Sequence, residues 1–166
     1  MLNGVSKVYF APGWRIGYLA IHDPSGRCEL VIDGIERLLR SRLCPSTPAQ
    51  HGYLAGLNGD KEWMKPYHER IEQQRDYCIQ RIHSIEGLEV QSPRGAFYMF
   101  VKIVDPRWAD DDKTFVLDLL HQKHVLVVHG SGFSPERGKG HFRLVYLANI
   151  DVLKTAFDKI EDFLQS

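Results

Sequence analysis

Apolar residues recur along this chain with two different periods. In "RCELVIDGIERLLRSRL", Leu30, Ile35, Leu38, Leu39 and Leu43 fall at helical spacing and predict a helix. "CPSTPAQ" interrupts it, because two prolines this close cannot lie in a helix interior. Ser46 or Thr47 is placed to cap a new helix over residues 48–57. From Lys61 to about Ile85, Trp63, Tyr67, Ile71, Tyr77 or Cys78, and Ile82 mark a long amphipathic helix with Pro66 in its first turn. At about 1.5 Å per residue it spans more than ~30 Å, which reads as a connector between two packed regions. A last helix, "DVLKTAFDKIEDFL", puts Val152, Leu153, Ala156, Phe157, Ile160 and Leu164 on one face.

Strand-like stretches fill the gaps. One covers residues 17–21 and is closed by the turn Asp23-Pro24-Ser25-Gly26. "LEVQ" and "AFYMFVKI" read as two strands joined by "SPRG", followed by a helix in "DDKTFVLDLLHQKH" and strands in "VLVVHG" and "HFRLVYLA". The expected fold is therefore α/β. Residues 86–166 form a compact α+β unit, a two-layer sandwich of helices on a mostly antiparallel sheet. Residues 1–45 offer only one strand, one helix and a glycine-rich start, and read as a piece of something larger. No internal repeat or low-complexity run is present.

Composition narrows the function little. The chain has 166 residues, 43% apolar and 25% charged, as in ordinary globular proteins. Lys plus Arg balances Asp plus Glu at 21 each, so no net charge draws the chain to nucleic acid or an anionic membrane. The longest apolar runs, such as "VLVV", fall far short of the ~20 residues of a membrane span, and no signal peptide is apparent. Cys28, Cys44 and Cys78 match no metal or redox motif and read as reduced thiols of a cytoplasmic protein. His121, His124, His129 and His141 lack the spacing of a zinc site. "HGSGFSPERGKGHF" is glycine-rich but lacks the strand–GxGxxG–helix context of a phosphate loop, and reads as a flexible loop.

The candidate chemistry opens the chain, in "SKVYFAPGWRIGY". Lys7, in a turn-like segment, is either a surface residue of a loose tail or a buried amine with a lowered pKa, able to form a Schiff base. Arg15 either lies on the surface or forks onto a phosphate or carboxylate. Arg143 sits in the strand-like run "FRLVYLA", where an unpaired guanidinium is costly if buried and trivial at a sheet edge.

These residues fall in a known order. "SKVYFAPGWRIGY" resembles the lysine segment of class I (fold-type I) PLP-dependent aminotransferases: Ser-Lys, a short gap containing Tyr, then Gly-Trp-Arg-x-Gly-Tyr. "RLCPSTPAQHG" resembles the family segment before the long interdomain helix, "PRGAFYMF" a small-domain strand, and "HGSGF…GHFRLVYLA" the loop and strand carrying the substrate arginine. The resemblance covers essentially the whole chain and leans toward the archaeal and bacterial alanine aminotransferases. It implies pyridoxal 5′-phosphate as cofactor and Lys7 as the catalytic, cofactor-bearing lysine. Arg15 and Ser6 would then serve the cofactor phosphate, and Arg143 the substrate α-carboxylate. Many members carry a phosphate-binding Ser where this chain has Gly4, and the alanine branch reads "NG-x-SK" there.

Further expectations follow from the resemblance. Residues 1–45 would be part of the large cofactor-binding domain, 46–85 an interdomain connector and long helix, and 86–166 the C-terminal small domain. Ser46 and Thr47 match a region that reaches across a dimer interface toward the neighbour's phosphate. Ser131 and Gly132 belong to a loop lining the active-site entrance. The Asp, Asn, Tyr and stacking aromatic that serve the cofactor ring would lie upstream of Lys7. The chain would then be the C-terminal portion of a homodimeric enzyme acting on alanine, or a similar small amino acid, and 2-oxoglutarate. Alone it would turn over little substrate, with residues 1–45 poorly anchored or covered by dimerisation. Two non-enzymatic readings stand beside this one: an aminotransferase-like ligand sensor of a transcription regulator, and a stand-alone binding module. Within PLP chemistry, a decarboxylase or lyase shares the same lysine and arginine.

Overall fold

The helical and strand periods resolve into twelve main elements in a computed structural model that describes residues 1–166. They are β1 (Leu2–Gly4), α1 (Val5–Val8), β2 (Gly17–Leu19), α2 (Glu29–Arg42), α3 (Thr47–Asn58) and α4 (Lys65–Ser84). There follow β3 (Leu88–Val90), β4 (Tyr98–Ile103), α5 (Asp112–Lys123), β5 (Val128–His129), β6 (His141–Val145) and α6 (Ile150–Gln165). Short 3₁₀ turns occupy Pro12–Trp14, Glu62–Met64 and Gly130–Gly132. The chain divides into two compact units, Met1–Lys65 and Pro66–Ser166.

In the first unit, β1 and β2 pair antiparallel, with Leu2 opposite Leu19 and Gly4 opposite Gly17. The sequence shows only the second of these strands, because "LNG" is too short to carry a period. Val5, Ile16 and Tyr53 form a small core against which Tyr9, Ala11, Tyr18 and Ala49 pack. Helix α2 has Glu29 in its first turn and Arg40 and Arg42 in its last, the polarity its dipole favours. It buries no residue: Leu30, Leu38, Leu39 and Leu43 are all exposed. Ser46 occupies the N-cap of α3, but its hydroxyl makes no capping bond. Pro48 in the first turn lacks an N–H to satisfy, and Gln50 instead ties the helix start to the Pro45 carbonyl at 3.0 Å.

The second unit is a fully antiparallel sheet in the order β3-β4-β6-β5, with α4, α5 and α6 packed on one face. Alternation sets the faces. Met99, Val101 and Ile103 of β4 and Phe142 and Leu144 of β6 enter the core, where they meet Cys78 and Ile82 of α4, Phe115 and Leu119 of α5, and Phe157 and Ile160 of α6. Phe115 stacks on Phe142 with centroids 5.4 Å apart. Each such side chain, fully buried, contributes about 1.5–3 kcal/mol. Arg81 of α4 bridges to Asp158 and Glu161 of α6 at 2.8 and 2.9 Å. Helix α4 therefore contributes directly to this core through Cys78 and Ile82.

Two strands are shorter than their apolar runs. Ala96 has φ 58°, so β4 begins only at Tyr98. Val125 and Val127 point inward and Leu126 outward, but ladder pairing starts at Val128. No helix is long and apolar enough to cross a membrane.

Candidate active site

Lys7 rides on a single helical turn held at the closed end of the β1–β2 pair. Val5 is 1% exposed and its N–H donates to the Ile16 carbonyl at 3.3 Å, which fixes the turn at its root. Tyr9 N–H closes the turn onto the Val5 carbonyl at 3.0 Å. Lys7 itself is exposed, so the buried amine envisaged from the sequence is not what the structure shows. Ser6 beside it is half-buried. The loose-tail alternative fails as well, because the segment is hydrogen-bonded and anchored at both ends.

The anchor is α3. Trp14 packs over Gly52 and Tyr9 over Gly56, one helical turn apart on the same face. A Cβ on Gly52 would stand 2.7 Å from Cη2 of Trp14, and one on Gly56 would touch the Tyr9 ring at 3.5 Å. Tyr9 also meets Tyr53 edge-on, with centroids 5.9 Å apart. Sequence reasoning passed over these glycines, although their spacing of four on a helix was the available signal.

Between these anchors the backbone is unusual. Phe10 and Arg15 have φ of 54° and 52°, the left-handed region that side chains other than glycine rarely adopt. Such residues cost about 1–3 kcal/mol each and persist where the surroundings over-determine them. Arg15 donates from Nη1 to the Pro12 carbonyl at 2.8 Å, is exposed, and joins no ion pair. Its remaining N–H groups suit a phosphate. Gly4 has a steric reason: a Cβ there would lie 3.1 Å from the Ile16 carbonyl oxygen where the two strands close. An amine on a fixed turn and a guanidinium paired with no carboxylate are the donor types that a phosphorylated aldehyde takes.

Arg143 lies in the second unit, on β6 between β4 and β5, so it is not an edge residue. It projects from the sheet face opposite the helices, as do Tyr98 and Phe100 of β4. Its Cζ lies 4.8 Å from the Tyr98 ring centroid and 4.6 Å from that of Phe133. Its Nε is buried without a hydrogen-bond partner, and no carboxylate of the chain pairs with it. Phe100 stacks on His141 at 5.2 Å and meets Phe133 edge-on at 6.0 Å. Tyr98 and Phe133 were missed from sequence as neighbours of Arg143. The alternation of "YMFVKI" carries the signal for Tyr98.

The loop before β6 is pinned, contrary to the flexible loop expected. Gly130 and Gly138 approach so closely that a Cβ on either would strike the other's carbonyl oxygen. Asp112, 3% exposed at the start of α5, accepts from Ser131 N–H at 2.8 Å. His129 Nδ1 lies 3.0 Å from Ser131 Oγ and accepts from Gly132 N–H at 3.2 Å. Ser131 and Gly132 are thus tied to the fold. Cys28 and Cys44 are free and exposed, while burial pushes the Cys78 thiol up to about 12.

Known proteins share this chain's sequence pattern and fold. The pattern of the family described as aminotransferase class I and II matches residues 1–160. Glutamate-pyruvate aminotransferase AlaA of Escherichia coli is 37% identical, over 98% of this chain and 40% of its own length. An alanine aminotransferase of Mycobacterium tuberculosis is 38% identical, over 99% of this chain and 39% of its own. The solved structure of an alanine aminotransferase from Pyrococcus furiosus superposes with TM-score 0.91 at 49% identity, over 99% of this chain and 41% of that one. The chain thus spans about two fifths of the length of the relatives it matches. Nothing in these matches supports the regulator reading. The cofactor of this group is pyridoxal phosphate, which the Lys7 and Arg15 donor set fits. With a family pattern running over nearly its whole length and a fold shared with solved aminotransferases, the chain belongs to the class I and II aminotransferase family.

Proposed function

We propose that this chain supplies the lysine-bearing and carboxylate-binding part of a PLP-dependent aminotransferase that moves an amino group between a small amino acid, alanine above all, and 2-oxoglutarate. The observation that carries the reading is Arg143, a half-buried guanidinium with an orphaned Nε, two aromatic neighbours and no carboxylate partner. A protein keeps such a group at a cost unless a ligand completes it. The group shared by every amino acid and 2-oxo acid is the α-carboxylate, whose two oxygens match the guanidinium fork. The alanine and glutamate-pyruvate names of the relatives support the substrate class.

In this reading the Lys7 amine holds the cofactor, then takes and returns the substrate Cα proton. Arg15 and Ser6 hold the cofactor phosphate. Arg143 fixes the substrate so that its Cα–H bond is aligned for cleavage. The cofactor, when bound, supplies the electron sink. The chain is the C-terminal portion of the enzyme: residues 1–45 belong to the large domain, 46–85 to the connector, and 86–166 to the small domain. The remaining part of the longer protein covers the apolar residues of α2 and completes the cofactor site. The full protein works as a cytoplasmic homodimer in which Ser46 and Thr47 face the neighbour, and this chain alone turns over little substrate.

The test is chemical. The longer protein that carries this chain is incubated with pyridoxal phosphate, reduced with borohydride and mapped by peptide mass. The expected product is a pyridoxyl group on Lys7, lost in Lys7→Arg. Labelling spread evenly over the lysines overturns the assignment.

A further inference from the structure

Arg143 has two aromatic rings within 5 Å of its Cζ, and they come from different places. Tyr98 is carried by β4, with Val145 of β6 directly opposite it. Phe133 ends the 3₁₀ turn Gly130–Gly132. That turn is fixed three times over: Phe133 N–H donates to the Gly130 carbonyl at 2.9 Å, Ser131 N–H donates to the buried Asp112 carboxylate, and Gly132 N–H donates to His129 Nδ1. Phe133 is half exposed, so hydrophobic burial does not account for its placement. Phe100 meets its ring edge-on and restricts where that ring can lie.

A guanidinium is held by ring faces differently from the way it is held by a carboxylate. Ring faces attract its flat side and leave its N–H edge open. A carboxylate would occupy that edge and compete with a ligand. We infer that Tyr98 and Phe133 are positioning residues that orient Arg143 so that its N–H edge is presented to a planar carboxylate. The inference rests on the carboxylate role proposed above and adds how that role is prepared before a ligand arrives. The pinning of the loop then has a purpose. Asp112 and His129 hold the turn that holds Phe133, and Phe133 holds the arginine. Asp112 and His129 touch no substrate in this account and act only through the loop.

Two readouts on the same nucleus separate the two claims. The ¹⁵N-labelled chain gives an Arg143 Nε–H resonance, assigned by its disappearance in Arg143→Lys. In the unsubstituted chain this resonance is expected upfield of the other arginines, from the ring currents, and slow to exchange. Phe133→Leu and Tyr98→Leu should each move it toward the position of a free arginine and speed its exchange, whereas Phe133→Tyr should keep both properties. The backbone amide spectrum of each variant reports that the fold is intact. An Arg143 resonance unchanged in both leucine variants overturns the positioning inference. The second readout is the movement of that resonance on adding 2-oxoglutarate. Phe133→Leu should weaken this binding roughly two- to five-fold, the worth of one partly exposed cation–π contact. If 2-oxoglutarate leaves the resonance in place while the leucine variants still displace it, the positioning inference stands and the carboxylate role falls.

Discussion

Gly34 and Gly52 each sit inside a helix of the first unit, and the same substitution should stabilise at the first and not at the second. Alanine is favoured over glycine in a helix interior by about 1 kcal/mol. A Cβ on Gly34 of α2 meets nothing within 4 Å, so Gly34→Ala should stabilise by about 0.5–1 kcal/mol. A Cβ on Gly52 of α3 would stand 2.7 Å from Cη2 of Trp14, and closer still to its Cζ3. Carbon atoms rest at about 3.5–4.0 Å, so the indole must move. Overpacking of this kind costs about 1–3 kcal/mol, which cancels or exceeds the gain in propensity. The two variants should therefore differ by about 1–3 kcal/mol in urea unfolding. Fluorine NMR of chain labelled with fluorotryptophan separates Trp14 from Trp63 and Trp108, and should show Trp14 displaced in Gly52→Ala but not in Gly34→Ala. Combining Trp14→Ala with Gly52→Ala removes the obstacle, and the second substitution should then stabilise. If Gly52→Ala alone stabilises as much as Gly34→Ala and leaves the Trp14 signal in place, α3 is not the floor of the lysine loop.

Asp112→Ala strips Ser131 N–H of its acceptor and should cost about 1–3 kcal/mol, read as faster amide exchange at Ser131 and Gly132 than in the middle of α5. A thiol reagent should modify Cys28 and Cys44 quickly and Cys78 only at the rate of unfolding, since Cys78 is fully buried and un-ionised at neutral pH; fast loss of all three thiols would contradict this. The hydrogen bond from Arg107 holds the Asp105 carboxyl below its ordinary 3.8, so its contribution is fully present above that value and is lost as pH falls through the lower folded one. Asp105→Asn should accordingly flatten the acid limb of the stability curve, and an unaltered limb would count against the pair.

Where side-chain period and burial agree, the sequence told much. α5 and α6 are legible because their apolar positions meet a core that demands them, and β4 because every second residue enters it. Boundaries were lost where the backbone leaves its regular state for tertiary reasons. Ala96 turns to φ 58° and its carbonyl accepts from the Tyr146 hydroxyl at 3.1 Å, so β4 starts late. The Tyr146 N–H still donates to the Phe97 carbonyl at 3.2 Å, in register with the ladder, although β6 itself ends at Val145. Lys7, Arg15 and Arg143 were visible as an ordered motif. Their settings were not, because an exposed lysine on a short turn and a buried one read alike in one dimension. The glycine shelf under Trp14 and Tyr9 escaped for a related reason: a glycine inside a helix counts against the helix until the ring that needs the space is known.

The arginines show why Arg143 differs from a surface cation. Arg37, Arg40, Arg75, Arg81 and Arg107 all reach carboxylates of the chain. Arg81 shares with Arg143 a buried Nε lacking a partner, but its two terminal nitrogens bond Asp158 and Glu161. Arg143 alone combines the orphaned Nε with the absence of any carboxylate, and ring faces attract its flat side without using its N–H groups. Arg15 reaches a related state by another route, with a left-handed backbone that one carbonyl and the packing of Trp14 hold in place. Neither arrangement is the cheapest way to keep a cation on a protein. Each leaves guanidinium N–H groups uncommitted to any carboxylate of the chain, which is what the proposed phosphate at Arg15 and the proposed carboxylate at Arg143 require.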